Sequence, residues 1–251
     1  MTLAVKRAIE RSGGHLYTFL EGDVRHGPFP GATAICALQD STGGSDGLMN
    51  WAVNLALNAA RTHLDAGRPW EEAREEAFAA KNEPRDIGIA VHEAVDRFNR
   101  GMDLDVDIRT GSYLAHYGAA IYREGIQVLS SERYAVNLSV GFAGTYDSLV
   151  TIDGETGPLD VKTGKEKPSQ RLQLTGLSMC EWHAEAGLEA EPMPEMSGVG
   201  FILLLRPDGY SLVRHEITDE DREHFIRLVE TYHEIRRWAA AFAPTALREA
   251  A

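Results

Sequence analysis

A segment near the middle of the chain, GPLDVKTGK (157–165), holds an aspartate, two lysines and two glycines. A phosphate-binding loop of the Walker type needs four residues between its first glycine and a Gly-Lys pair, followed by Ser or Thr. Here six residues separate Gly157 from Gly164-Lys165, and Glu166 stands where the magnesium-binding hydroxyl should be. The spacing therefore excludes a Walker loop.

A β-strand through this segment offers a different chemistry. Residues two apart on a strand point to the same face, so Asp160 and Lys162 would project together. One hairpin earlier, GTYDSLVTI (144–152) contains Asp147, and a turn at Asp153-Gly154 can bring it opposite Asp160. Two carboxylates beside a lysine suit a divalent metal ion that contacts a phosphate. The alternative is that both are strand-end acids without a shared role.

A third candidate, His92, lies in the helical pattern GIAVHEAVDRF (88–98). The apolar positions of this helix do not explain an imidazole at 92; they are Ile89, Val91, Val95 and Phe98. A single histidine on a helix is also common as a core or surface residue, and that alternative stays open. A zinc-protease helix is excluded, because it needs a second histidine four residues later, where Asp96 stands.

The elements that must position these residues follow from hydrophobic periodicity and turn residues. The N-terminal part predicts a strand at 15–22, a Gly/Pro-rich turn at 26–33 and a loop at 40–47. Helices are predicted at 48–67, 69–82, 86–99, 111–124 and 168–187, with a last helix that Thr218 caps. Strands are predicted at 133–140, 141–152, 157–164, 199–207 and 210–218. This order predicts an α/β (α+β) fold with a central mixed sheet flanked by helices, plus a helical N-terminal elaboration.

Composition limits the class of protein. The net charge of -13 argues against a nonspecific polyanion binder, although a local basic strip or metal-neutralised carboxylates can reverse the field at one site. Cys36 and Cys180, far apart and among apolar residues, are predicted to be buried thiols. No apolar run approaches the ~20 residues that span a bilayer, and MTLAVKRAIERSGG carries charges where a signal peptide is apolar. We therefore expect a cytoplasmic protein that does not associate with membranes.

Four motifs in order resemble those of the PD-(D/E)XK nuclease superfamily. They are G-x-x-x-H (88–92), G-T-x-D (144–147), D-x-K-T-G (160–164) and a helix opening with glutamines, and they lie between about residues 86 and 206. The match is closest to the RecB-type branch, which includes CRISPR-associated and phage-encoded exonucleases. The segment 30–57, with Trp51, is also similar to the leader of phage-encoded members. The resemblance implies a restriction-endonuclease-like core at 86–243, an N-terminal elaboration at 1–85 and a frayed tail at 244–251.

The resemblance also assigns roles to residues. Asp147 and Asp160 would bind the metal ion, together with His92 and the backbone carbonyl of Val161, while Lys162 would orient or activate water or stabilise charge on the phosphate. Related enzymes carry Q-x-x-x-Y after the lysine motif, whereas here Leu177 stands four residues after Gln173, where the tyrosine would be. The resemblance assigns Gln173 a catalytic role at the site or a contact with DNA, in a motif that lacks its tyrosine. Oxygen ligands with one imidazole suit Mg²⁺, or Mn²⁺ as a substitute. Many CRISPR-associated relatives hold an iron–sulfur cluster, which two cysteines cannot ligate.

The implied activity is that of a metal-dependent DNA exonuclease, a phosphodiester hydrolase of phage or prokaryotic recombination and repair. Its partners would be DNA and a recombinase, helicase or single-strand-binding protein. Residues that could contact phosphates are Lys165, Lys167, Arg171 and Arg85, although solvated loop positions explain them equally well. The alternative from another class is a catalytically silent nuclease fold that binds DNA or protein, and RNA as substrate stays open as well.

Overall fold

The computed structural model describes residues 3–9, 15–21, 23–41, 46–104 and 106–241. The helices of these ranges are α1 (Ala32–Ser41), α2 (Asp46–Asp65), α3 (Trp70–Asn99), α4 (Gly111–Arg123), α5 (Pro168–Ser178) and α6 (Asp219–Ala241). The strands are β1 (Leu3–Ile9), β2 (His15–Glu21), β3 (Val24–Pro30), β4 (Gln127–Asn137), β5 (Phe142–Ile152), β6 (Glu155–Lys162), β7 (Trp182–Ala184), β8 (Glu191–Pro192), β9 (Val199–Arg206) and β10 (Gly209–Glu216). The predicted mixed α/β architecture is confirmed.

The strands form two sheets. A small antiparallel sheet has the order β1-β2-β3, and a seven-stranded sheet has the order β10-β9-β6-β5-β4-β7-β8. In the larger sheet β6 and β9 pair in parallel, and the other pairs of neighbours are antiparallel. A parallel pair needs a crossover connection, which here includes α5 and the short strands β7 and β8. The large sheet is therefore mixed, as the sequence predicts.

Strand β9 shows how the layers are arranged. Its sequence VGFILLLR is buried from Val199 to Leu205, as is typical of a strand covered on both faces. Phe201 and Leu203 belong to the core that α3 and α4 complete, whereas Ile202 and Leu204 cluster with Leu174 of α5. Because successive residues of a strand point to opposite faces, α3 and α4 cover one side of the sheet and α5 covers the other.

Three local predictions are confirmed: a hairpin turn, a helix cap and two buried thiols. The β5–β6 hairpin turns at Asp153 (φ 50°) and Gly154 (φ 82°), two residues in the left-handed conformation that short hairpin turns favour. Thr218 caps α6, since its hydroxyl accepts a hydrogen bond from the Asp221 amide (3.2 Å) while the Asp221 carboxylate accepts one from the Thr218 amide (2.9 Å). Cys36 and Cys180 are buried free thiols.

The two helices predicted at 69–82 and 86–99 are in fact one. Helix α3 runs from Trp70 to Asn99 with Pro84 inside it, and so passes through the expected boundary between 85 and 86. Proline inside a helix costs about 3 kcal/mol, but packing on both sides of it holds this helix together. Before Pro84, His63 of α2 bonds to Glu76 (2.5 Å), and after it Val95 packs into the core.

Three further predictions differ from the structure. Of the segment expected to be a turn at 26–33, residues 26–30 belong to β3, which pairs with β2, and residues 32 and 33 begin α1. The helix expected to reach 187 ends at Ser178, because the following residues pair with the edge of β4 as β7. Of the loop expected at 40–47, residues 40 and 41 belong to α1 and residues 46 and 47 to α2, while 42–45 lie outside the described residues, as does the expected tail at 244–251.

The small sheet is attached to the large one beside β5. The Tyr17 hydroxyl hydrogen-bonds to Thr145 Oγ1 (3.0 Å), and Gly31 forms an isolated bridge with Ala143. The rings of Tyr17 and Phe19 are buried in the same cluster as Ala143. This attachment fixes the N-terminal sheet next to the strand that carries Asp147.

Among the helices of the described residues, none is both long and apolar enough to cross a membrane.

Replacing Gly157 with alanine should destabilise the fold. The added Cβ would lie 2.2 Å from the backbone oxygen of Val199, which cannot move without shifting β9. We expect a loss of at least about 2 kcal/mol in the free energy of unfolding, measured by urea titration followed by circular dichroism. Gly209→Ala is the matched control, because no atom lies within 4 Å of its added Cβ. Equal stability of the two variants would contradict the close approach of β6 and β9.

Candidate metal centre and cavity

Asp147 is held at the point where β5 and β6 separate. The last paired residues of the two strands are Ser148 and Leu159, so continuing the register by one residue brings Asp147 and Asp160 together. Beyond that pair the Val161 amide donates its hydrogen bond to Asp147 Oδ2 (2.7 Å). The other carboxylate oxygen, Oδ1, lies 3.3 Å from His92 Nδ1. Both oxygens of Asp147 are thus fixed, one by a backbone amide and one by an imidazole.

Asp160 is the more deeply buried acid. Its side chain is 3% exposed, and Oδ1 accepts a hydrogen bond from Lys162 Nζ (2.7 Å). Its second oxygen, Oδ2, is buried without a hydrogen-bond partner within the described ranges. A buried carboxylate oxygen without a donor is costly, and a bound cation would satisfy it.

The environment separates the pKa values of the two acids. Burial raises the pKa of Asp160 to about 6, against the attraction of Lys162, and the nearby Asp147 charge adds to the increase. Burial also disfavours the charged form of Asp147, but the charge and hydrogen bond of His92, with further help from Lys162 and the Val161 amide, lower its pKa to about 2. Asp147 is therefore the permanent anion of the pair.

The two basic groups respond to the same anions. Burial alone lowers the pKa of His92, but the charge and hydrogen bond of Asp147 outweigh it and raise this pKa above its usual value. For Lys162 burial also lowers the pKa, and the charges of Asp160 and Asp147 raise it overall, so Lys162 stays protonated. The structure brings four predicted site residues into one cluster: His92, Asp147, Asp160 and Lys162.

Glu132 joins this group, although sequence reasoning missed it. Ser131 pairs with Ser148 and Arg133 with Tyr146, which leaves Glu132 opposite Asp147 on the neighbouring strand. One ligand atom each from His92, Glu132 and Asp147 lie within 4.8 Å of one another, as a shared metal ion requires. Glu132 has a positive φ of 48°, an uncommon backbone conformation for this residue type. The strand predicted from the sequence begins at 133 and so excludes Glu132. Only the register between β4 and β5 places Glu132 opposite Asp147.

A cavity of about 1070 Å³ is lined by three residues of this group, His92, Glu132 and Lys162. Four Lys or Arg residues and three Asp or Glu residues line it, so its wall is much less acidic than a chain of net charge -13 would suggest. The cations are Arg85, Lys162, Lys165 and Lys167, and the acids are Glu93, Asp96 and Glu132. Such a cavity can accept an anionic ligand beside the carboxylates.

The four candidate phosphate-binding residues differ in their placement. Lys165 and Lys167 line the cavity, and so does Arg85, whose guanidinium also bonds to Asp86 (2.9 Å). Arg171 is not part of the cavity wall; its guanidinium is bonded to Asp221 (2.8 Å) and to the carbonyl of Glu216 (3.3 Å). Arg171 therefore holds α5 to α6 in this structure.

Helix α5 places Gln173 in the cavity wall and Leu177 in the core. Gln170, not predicted as a site residue, lines the cavity as well, and its Oε1 accepts a hydrogen bond from the Lys167 amide (2.9 Å). Leu177 is buried against β5, where a Cβ at Gly144 would lie 2.8 Å from its Cδ2. A tyrosine at 177 would therefore not fit here without rearrangement.

The donor set suits a hard divalent cation. Carboxylates of Asp147 and Glu132 and the imidazole of His92 could hold Mg²⁺ or Mn²⁺, which prefer oxygen ligands. Asp160, the other predicted ligand, lies outside this three-residue group. The two cysteines are buried, and neither lines the cavity.

Comparisons with known proteins leave the family open. No family model matches the sequence, and no curated protein matches it. Among solved structures, the crystal structure of SSO0001 aligns with 52% of this chain at 14% identity and a TM-score of 0.30. The alignment covers 63% of that protein's chain, so the likeness spans less than two thirds of its length.

Removing the charge of Asp160 should stabilise the metal-free protein at alkaline pH. The unfolded carboxyl ionises near 3.8 and the folded one near 6, so the ionised group progressively weakens the fold as the pH rises between these values. Asp160→Asn, whose amide oxygen can still accept from Lys162, should therefore raise the free energy of unfolding at pH 8 in EDTA, and raise it less at pH 5. Thermal melts at both pH values measure this. A variant less stable than the wild type at pH 8 would contradict the burial cost.

Replacing Glu132 should weaken metal binding. Glu132→Gln removes one anionic ligand, and we expect at least about a tenfold loss of Mn²⁺ affinity by isothermal titration calorimetry. Glu93→Gln is the matched control, because Glu93 lines the cavity next to His92 outside the ligand cluster. If both variants bind Mn²⁺ as the wild type does, Glu132 is not a ligand.

Proposed function

We propose that this protein is a metal-dependent deoxyribonuclease of the RecB-type PD-(D/E)XK branch, with a restriction-endonuclease-like core. One observation carries the proposal: His92, Asp147, Asp160 and Lys162 come from three separate elements and meet in one cluster beside a cavity whose lining includes four Lys or Arg residues. If Asp147 and Asp160 were strand-end acids without a shared role, the approach of His92 and Lys162 to them would have no explanation. The motif order supports the same assignment.

The chain would use these groups to hydrolyse a phosphodiester. A bound Mg²⁺ would supply Lewis acidity to the phosphate and favour ionisation of the attacking water. Asp147, locked by the Val161 amide and His92, would provide a fixed anionic ligand, and Asp160 would provide its partnerless oxygen. The backbone carbonyl of Val161, the residue whose amide donates to Asp147, would be a further metal ligand.

Lys162 would act on the reacting phosphate. Its ammonium donates a hydrogen bond to Asp160 (2.7 Å) and also lines the cavity, so it would be close to a phosphate oxygen of a bound strand. There it would orient the water or stabilise the charge that develops. Lys165, Lys167 and Arg85 would bind neighbouring phosphates, and Gln173 would contact the same strand.

In the cell the proposed enzyme is a cytoplasmic exonuclease of phage or prokaryotic DNA recombination and repair, working with a helicase, recombinase or single-strand-binding protein. The proposal rests on the site's chemistry and on the motif resemblance. Free-end dependence is part of the proposal and is directly testable.

The test is degradation of linear and closed circular DNA in Mg²⁺, Mn²⁺ or EDTA. We expect degradation of linear DNA only with metal, and at least about a hundredfold loss of rate in Lys162→Ala, since a preorganised cation facing the phosphate is removed. Lys81→Ala is the control, because this exposed lysine of α3 is not part of the cavity wall.

Three other outcomes would change the assignment. Cutting of the circle would make the protein an endonuclease, and degradation of RNA alone would change the substrate. If no nucleic acid is cut while Lys162→Ala binds DNA as tightly as the wild type, the catalytic proposal is wrong and a silent nuclease fold takes its place.

A further inference from the structure

Three rings form a wall on one side of the cavity, which we call the aromatic wall: His15, Tyr17 and Tyr134. Tyr17 is buried at the centre, with its ring centroid 6.4 Å from that of His15 and 5.9 Å from that of Tyr134, both in edge-to-face geometry. The two outer rings, His15 and Tyr134, line the cavity. Edge-to-face packing on a buried ring restrains the orientation of both outer rings.

The aromatic wall is fixed relative to the carboxylates. The Tyr17 hydroxyl bonds to Thr145 Oγ1 (3.0 Å), two residues before Asp147 on β5. Tyr134 stands two residues after Glu132 on β4, and its Cα partner across the sheet is Thr145. The small N-terminal sheet, which contributes His15 and Tyr17, therefore has a structural connection to the candidate metal centre.

Cations lie along the same cavity. Lys162, Lys165 and Lys167 line it at and after the end of β6, and Arg85 lines it from α3. A cavity with both cationic side chains and aromatic rings matches a ligand that has a phosphate backbone and flat bases. Base stacking on such rings strengthens binding whatever the base sequence, because every base has a flat face.

An unpaired strand can use both features without the cost of unpairing and unstacking a duplex. In a duplex each base is stacked between its neighbours and hydrogen-bonded to its partner, so its face is not available to a protein ring. The cavity, at about 1070 Å³, is near the upper size of pockets that enclose drug-sized ligands, which suits a few nucleotides of one strand.

We propose that the aromatic wall binds the bases of single-stranded DNA, so that Tyr134 and His15 stack on nucleotides next to the phosphate at the metal centre and select an unpaired strand. The cleavage part of this inference rests on the proposed function, whereas the binding part does not. The N-terminal sheet would then take part in recognising the unpaired strand, through His15 and the supporting Tyr17.

The experiment measures binding separately from cutting. Fluorescence anisotropy with a labelled oligonucleotide of about 20 nucleotides, single-stranded or as a blunt duplex, is run in Ca²⁺ without Mg²⁺. We expect the wild type to bind the single strand at least about tenfold more tightly than the duplex, and Tyr134→Ala to lose about tenfold for the single strand alone. Tyr134→Phe, which keeps the ring, should bind as the wild type does.

Controls separate stacking from misfolding. Tyr122→Ala removes a tyrosine of α4 that is 88% exposed and outside the cavity wall, and it should leave binding unchanged. His15→Ala tests the second ring of the aromatic wall, and thermal melts of each variant report whether it folds. A folded His15→Ala variant with a weaker single-strand affinity supports the proposal even if Tyr134→Ala does not fold.

The outcomes distinguish this inference from the nuclease proposal. Equal affinity for single strand and duplex, an equal loss of both in Tyr134→Ala, or no DNA binding by the wild type would overturn the inference. Single-strand binding that depends on Tyr134, with no cleavage in Mg²⁺, would uphold it while the nuclease proposal fails. Degradation of blunt duplex that is unaffected by Tyr134→Ala and His15→Ala would overturn it while the nuclease proposal stands.

Discussion

Two carboxylates, the half-buried Asp147 and the buried Asp160, lie beside one another where β5 and β6 separate, and their mutual repulsion must be offset by the surrounding structure. Desolvation and the neighbouring charge both disfavour ionised Asp160, as its pKa of about 6 reflects. Lys162, His92 and the Val161 amide supply the opposing positive charge and hydrogen bonds. The partnerless oxygen of Asp160 remains, and it is the feature that a cation would satisfy.

The rest of the fold can be understood as the support for that cluster. Leu159 and Val161 of β6 pack into the core with α3 and α4 on the face opposite Asp160. Helix α3 has to span from α2 to that core to bring His92 against Asp147. Pro84 within α3 is tolerated because side-chain packing on both sides of it compensates for the lost backbone hydrogen bond. The site thus depends on tertiary packing at positions far from it in sequence.

Charge is distributed unevenly in this acidic chain. The cavity wall carries four Lys or Arg residues, while many other charged residues are paired on the surface, such as Arg214 with Glu155 and Arg222 with Asp219. Local field and not net charge decides what a cavity can bind, because salt screens exposed charges beyond about 8 Å at physiological ionic strength. An overall charge of -13 is therefore compatible with an anionic ligand at this cavity.

The sequence by itself determined the hairpin and the acid–lysine strand. Asp153-Gly154 specifies a tight turn, and strand alternation places Asp160 with Lys162, so both follow from local backbone rules. The helix cap at Thr218 follows from a local rule of the same kind. These features depend on residues close together in the chain.

Only the tertiary structure decided the remaining features. The uninterrupted α3, the strand β3 in a Gly/Pro-rich segment, and the pairing of β7 with β4 each override a local preference through long-range contacts. Glu132 becomes a candidate ligand through the β4–β5 register, and His15 reaches the cavity through the attachment of the small sheet to β5. Arg171, which sequence position alone places beside the site, is bonded to Asp221 instead. Local rules do not contain this information, since it depends on which surfaces of distant segments pack together.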